Sequence, residues 1–152
     1  MQIQKRPTAH AGFTLIEILI VIGIIAILAA IVLVAVNPAQ QFKKANDAQR
    51  ASNVNAILNA VGQYVVDNKG SLPSGITTAD QDLGSAGANI CSKLVPDFLA
   101  ALPADPGKPD QSIDSTECTS YTTGYNIKKD SNNRVTVTAV STEIGADITV
   151  TR

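Results

Sequence analysis

From Ile18 to Val36 the sequence reads ILIVIGIIAILAAIVLVAV, a run with no charged or strongly polar side chain and no polar face. A helix that is apolar all round has nowhere to bury itself in a small soluble domain, so the run is read as a membrane span. Taken from Phe13 to Val36 at about 1.5 Å per residue, the segment reaches roughly 36 Å, enough to cross a hydrocarbon core of ~30 Å with some tilt. One residue sits badly with that reading. Glu17 stands at the start of the run, and a charge at the centre of a spanning helix costs roughly 2.5–3.5 kcal/mol even on the most lenient scale. A secretory signal cut at Ala30 or Ala35 fits less well, because such regions hold about 7–15 apolar residues and this one is longer and carries Glu17.

Downstream of the run the composition changes in kind. About a hundred residues rich in Ser, Thr, Asn, Asp, Gly and Pro must build a core, with three Phe, three Tyr and no Trp in the whole chain. A domain of that size gains from a covalent staple. Cys91 and Cys118 are the only cysteines, neither lies in a CxxC, and the sole histidine, His10, precedes the apolar run. Zinc and redox readings are therefore disfavoured. An even pair downstream of an export segment is expected as a disulfide made outside the cytoplasm, the alternative being two buried, unpaired thiols. Lys5 and Arg6 precede the run while Lys43, Lys44 and Arg50 lie beyond it, so positive charge does not settle the orientation. A disulfide would place the C-terminal part outside and the basic leader inside.

Beyond Val36 the period changes. Ala51, Val54, Ile57, Leu58, Val61, Tyr64 and Val65 recur every three or four residues, which predicts an amphipathic helix covering a small core. Pro38 is expected to kink or open the helix near Asn37, and Gly23 is a second weak point. SLPSGITTADQDLGSAGANIC is read as a loop with a short turn. Val95 to Leu102 forms an apolar patch ended by Pro103 and Pro106. The segments YTTGYNIKK, RVTVTAVST and ADITVTR are read as strands, with Val135, Val137 and Ala139 alternating against Thr136, Thr138 and Val140 as one buried and one solvated face. The expectation is an α+β architecture: a long N-terminal helix, half membrane-spanning and half amphipathic, packed on a three-stranded antiparallel sheet.

A basic leader with Lys5 and Arg6, then Gly12, then Phe13-Thr14-Leu15-Ile16-Glu17, then an apolar helix: from Lys5 to about Val36 the chain resembles the prepilin family. That family comprises the type IV pilins and the pseudopilins of type II secretion. FLAALPADP, Phe98 to Pro106, resembles a second and looser pattern of these proteins, whereas the proline that many type IV pilins carry deep in the apolar helix is replaced here by Val34. The resemblance implies a pilin-like fold with a leader over 1–12, a helical spine over 13–68 whose part 13–36 spans the membrane, and a globular head over 69–152. It implies cleavage by a prepilin peptidase between Gly12 and Phe13 and methylation of the new amine of Phe13. Glu17 is then the assembly residue, paired with the N-terminal amine of a neighbouring subunit in a homo-oligomeric filament, so that a buried polar pair sets the register. Its bland role is a carboxylate at the positive end of the helix dipole. An inner-membrane assembly platform and the membrane complete the implied partners. The implied function is a structural subunit of a type IV pilus-like filament; a type II secretion pseudopilin and a minor pilin serving as adhesin or DNA-uptake receptor are the alternatives. Before assembly the protein would be a single-pass membrane protein with its head outside the cytoplasm, and afterwards part of an extracellular pilus or periplasmic pseudopilus.

No catalytic residues are expected. There is no histidine after His10, no nucleophile elbow and no Gly-rich phosphate loop, so the chain is read as a non-enzyme. No cofactor is called for, calcium being the one ion considered: Asp105, Asp110 and Asp114 lie within ten residues of one another but do not match an EF-hand loop. Nucleic acid is not an expected partner. The 12 Lys and Arg include Lys5 and Arg6 of the leader and face 13 Asp and Glu, without interleaved aromatics. Lys128, Lys129, Arg134 and Arg152 are instead read as a solvated sheet edge that discourages strand pairing.

Overall fold

A computed structural model describes residues 12–108 and 112–152. Most of the leader, with Lys5, Arg6 and His10, and the calcium candidate Asp110 lie outside the described residues. The chain divides into two compact units, Met1–Ala39 and Gln40–Arg152.

Among the described residues, the first unit holds the helix α1, Leu15–Val36, and the first two residues of the next helix. Thr14 caps α1 with extended backbone (φ −79°, ψ 151°), and none of its residues is buried. Gly23 does not interrupt it. The helix stops at Asn37, whose backbone is left-handed (φ 44°, ψ 82°). The cause is Pro38: its ring disfavours the right-handed helical region for the residue before it, and Asn is among the few side chains that tolerate the left-handed one. Proline is in turn well suited to open the next helix, where its missing N–H would have had no partner. The expected break near Asn37 is therefore found. With no buried residue and a mean hydropathy of 3.5, α1 is long and apolar enough to cross a membrane.

The second unit begins in α2, Pro38–Asp67. Its buried residues Arg50, Asn53, Val54, Ile57, Leu58, Ala60 and Val61 follow the spacing of one helix face. They meet the inner face of a four-stranded antiparallel sheet, made of β1 (Gln81–Gly84), β4 (Thr122–Lys129), β5 (Val135–Ala139) and β6 (Ile148–Thr151), in the spatial order β1-β4-β5-β6. Tyr125, Ile127, Val135, Val137 and Ala139 point into the core, and Thr136 and Thr138 stand on the other face. Between β1 and β4 the chain forms a short helix, α3 (Cys91–Leu94), and a two-stranded ribbon of β2 (Leu102–Pro103) with β3 (Ser112–Ile113). Val95 and Leu102 at the two ends of the apolar patch are buried, as is Leu94 just before it.

Two expectations need correction. The sheet has four strands rather than three, because Gln81–Gly84, read from sequence as loop, pairs with β4. β4 is eight residues long and offers a free edge, Leu83 is fully buried as an anchor, and the Thr123 hydroxyl donates to the Leu83 carbonyl at 2.7 Å. Gly84 lets the bulged strand come close, since a Cβ there would lie 2.9 Å from the Tyr121 carbonyl oxygen. Lys128 and Lys129 do not form a sheet edge, since β4 lies between β1 and β5. Arg134 binds Asp130 at 2.7 Å, and Arg152 reaches α2 at Asn55 and Asn59.

Candidate functional site

The N-terminus of α1 is built from a capping box. Thr14 Oγ1 accepts from the Glu17 N–H at 3.3 Å, and Glu17 Oε2 accepts from the Thr14 N–H at 3.5 Å. The carboxylate also sits at the positive end of the helix. Just before the cap, Gly12 and Phe13 lie outside any regular element, Phe13 is 80% exposed, and no atom comes within 4 Å of where a Cβ on Gly12 would be. The Gly12–Phe13 bond is thus sterically open, and the first charge of the spanning helix is held one turn beyond it. The sequence signal for the cap was present as Thr14-x-x-Glu17, the usual Ser/Thr-x-x-Glu pattern, but the weight placed on Glu17 alone obscured it.

In the second unit, Cys91 and Cys118 are joined in a disulfide with Cα atoms 5.3 Å apart, within the usual range. The staple fastens α3 to the turn that precedes β4. Of the aspartates considered for calcium, Asp114 accepts from the Thr116 N–H (2.7 Å) and hydroxyl (2.6 Å), and those bonds hold its carboxyl below its ordinary value. Asp105 is committed elsewhere. Among the described residues no group of three or more His, Cys, Asp or Glu is placed to hold a metal ion.

Asp105 belongs to a buried polar cluster centred on Arg50, which sequence reading passed over. Arg50 Nε and Nη2 donate to the two oxygens of Asp105 at 2.7 and 3.1 Å, while Nη1 reaches Asp47 at 2.8 Å and Glu143 at 3.0 Å. The side chains of Arg50 and Asp105 are each only 3% exposed. Asn53, one turn on, donates to the Ala104 carbonyl at 3.0 Å and to the Tyr125 hydroxyl at 2.9 Å. Asp47 also accepts from the backbone N–H groups of Glu143 and Ile144. Burial pushes the Asp105 carboxyl up, but the hydrogen bonds from Arg50 and the Gly107 N–H outweigh it and leave it below its ordinary value. The Asp105 carboxylate in turn raises the Arg50 guanidinium. No buried side-chain polar atom among the described residues lacks a partner. The cluster ties α2 to the loop before β3 and to the loop between β5 and β6; it is an electrostatic clasp, not a reaction centre.

The chain thus combines a helix long and apolar enough to cross a membrane with a disulfide-stapled α+β unit. Residues 8–33 match the family described as the prokaryotic N-terminal methylation motif. Over 84 residues the chain is 37% identical to the type IV wide pilus major component PilA4 of Thermus thermophilus, a stretch covering 55% of this chain and 63% of that relative. No solved structure matches. The likeness to prepilins is thus to the N-terminal segment and to less than two thirds of a pilin's length.

Proposed function

We propose that the protein is a structural subunit of a type IV pilus-like filament, stored in the membrane through α1 and polymerised through the same helix. The observation that carries this reading is the wholly apolar run Ile18–Val36 of α1, with no buried residue, directly behind Gly12-Phe13-Thr14-Leu15-Ile16-Glu17. Such a helix is stable in lipid, or against copies of itself, and nowhere else. In this reading residues 1–12 are a leader held at the anionic cytoplasmic surface by Lys5 and Arg6, 13–68 form the spine and 69–152 the head. A prepilin peptidase cuts after Gly12 and the amine of Phe13 is methylated. An inner-membrane platform then adds subunits to a homo-oligomer. The disulfide supports placing the head outside the cytoplasm. The relative's description as a wide pilus major component favours a pilus subunit over a type II secretion pseudopilin or a minor, receptor-like pilin.

Glu17 is assigned to pairing with the N-terminal amine of a neighbouring subunit. Alanine is easier to bury than a charge, so Glu17→Ala is expected to leave insertion and head folding intact while filament growth fails. Processed, membrane-resident monomer beginning at methylated Phe13, with few surface filaments, is the expected result. Normal filament yield from Glu17→Ala would refute the pairing role. A mature terminus at Met1, Ala30 or Ala35 in cells with active peptidase would refute the processing scheme.

A further inference from the structure

In the second unit the two most exposed large apolar side chains are Phe42 and Val66, 72% and 78% exposed. Both are on α2, at opposite ends. At about 1.5 Å per residue the helix separates them by roughly 36 Å. Phe42 is followed by Lys43 and Lys44, and neither lysine is ion-paired among the described residues; the core does not reach this first part of α2, where every residue from 38 to 45 is exposed. Val66 lines a groove of about 610 Å³ together with Asp67, Asp97 and Phe98. Neither aspartate is ion-paired among the described residues. Gly62 helps keep the groove open, since no atom lies within 4 Å of where its Cβ would be. Phe98 is fixed there by an edge-on contact with Tyr64, ring centroids 5.8 Å apart. Arg152 also lines the groove, but its guanidinium is held by Asn55 and Asn59.

One end of the unit is thus an aromatic knob with two positive charges, and the other is an apolar hollow with two negative ones. We propose that Phe42, Lys43 and Lys44 of one copy dock in the groove of a second copy at Val66, Asp67, Asp97 and Phe98. The occupant is a second copy because the two surfaces complement each other in charge and in apolar character. Antiparallel copies could exchange the contact reciprocally and close as a pair, but between parallel copies one contact leaves the other knob and groove open, so the contact propagates. Between parallel copies it sets an offset of roughly 36 Å along α2. The inference rests on the filament reading, which supplies the parallel arrangement.

The test uses the full chain in cells that assemble it. Because Cys91 and Cys118 are already joined, engineered thiols meet no competing partner. Phe42→Cys with Val66→Cys in one chain, oxidised in sheared filaments, is expected to give a ladder of dimers, trimers and higher multimers, while either single change gives none. Lys43→Glu with Lys44→Glu is expected to lower filament yield at least tenfold, and adding Asp67→Lys with Asp97→Lys is expected to restore it. Filaments that yield no ladder, an unchanged yield after charge reversal, or failure of the four-fold variant to recover would each overturn the contact. A Phe42→Trp emission that is blue-shifted by anionic vesicles, with no ladder in filaments, would assign the knob to a lipid surface and overturn it too. If the unaltered chain forms no filaments, the filament reading itself fails and the contact falls with it.

Discussion

Replacing Asp105 by alanine strips the buried guanidinium of Arg50 of its bidentate partner. Both side chains are 3% exposed, so the cation left behind has almost no access to water. Removing one member of such a pair costs about 3–5 kcal/mol. Arg50 retains Asp47 at 2.8 Å and Glu143 at 3.0 Å, whose side chains are 17% and 31% exposed, so the loss belongs at the lower end, about 3 kcal/mol. That is a large share of the 5–15 kcal/mol typical of a domain. The measurement is urea unfolding of the full chain in detergent micelles, followed by near-ultraviolet tyrosine circular dichroism, because Tyr121 and Tyr125 are buried in the head and α1 has no tyrosine. With a slope of roughly 1.5 kcal/mol per molar urea, the midpoint should fall by about 2 M. Arg50→Met combined with Asp105→Leu removes both buried charges and should recover most of that loss. A drop of less than about 1 kcal/mol for Asp105→Ala, or a double variant weaker than the single one, would refute the account of the clasp.

The same cluster sets the pH profile. The carboxyls of Asp47, Asp105 and Glu143 all lie below their ordinary values, so their stabilisation is complete above about pH 4 and is lost as pH falls through the folded-state values; the urea midpoint should decline there, and less steeply in Asp105→Asn. At the other limit, burial raises the Tyr121 and Tyr125 phenols above their ordinary value, so stability should hold up to about pH 10 and fall beyond it as the native state resists their ionisation. Cys118→Ala opens a loop of sequence separation 27, worth about 3.5 kcal/mol in the chain-entropy model; a midpoint unchanged from the parent would show that the staple adds nothing. Gly62→Ala in α2 meets no atom within 4 Å and should raise head stability by about 0.5–1 kcal/mol, read from the same unfolding curves.

What could be read from the sequence was whatever announces itself by period. The α1 run, the core stripe of α2 and the Val135–Ala139 alternation are patterns of apolar residues, and the structure places each as expected. β1 has no such pattern: Gln81, Asp82 and Gly84 are poor strand formers, and their pairing comes from the free edge of β4 and the burial of Leu83. The clasp was missed for a related reason. Arg50 and Asn53 occupy core positions on α2, yet a search for apolar period treats them as breaks in the stripe. Their places, four and one residues before Val54, were the available signal. A polar residue in register with a core stripe calls for a buried partner, and Asp105 is that partner from 55 residues away.

Glu17 shows how one carboxylate serves two stages of the proposed life of the subunit. Before processing, the capping box gives the charge a local partner at the very start of α1, one hydrogen bond of 3.5 Å from the neutral Thr14 N–H. Caps of this kind contribute about 1 kcal/mol, too little to offset a carboxylate carried deep into lipid but enough to keep the helix start formed. Cleavage after Gly12 would create a cationic amine on Phe13, the residue next to the N–H that Glu17 already accepts. A charge-assisted bond is roughly twice as strong as a neutral one, and stronger still where water is excluded. On the proposed assembly, the cap would hold Glu17 in place until a neighbouring subunit's amine competes for it, and that competition would be won where lipid or packed helices are driest. On this reading Thr14→Ala weakens the start of α1 without removing the assembly charge, whereas Glu17→Ala removes both, so only the second stops filament growth.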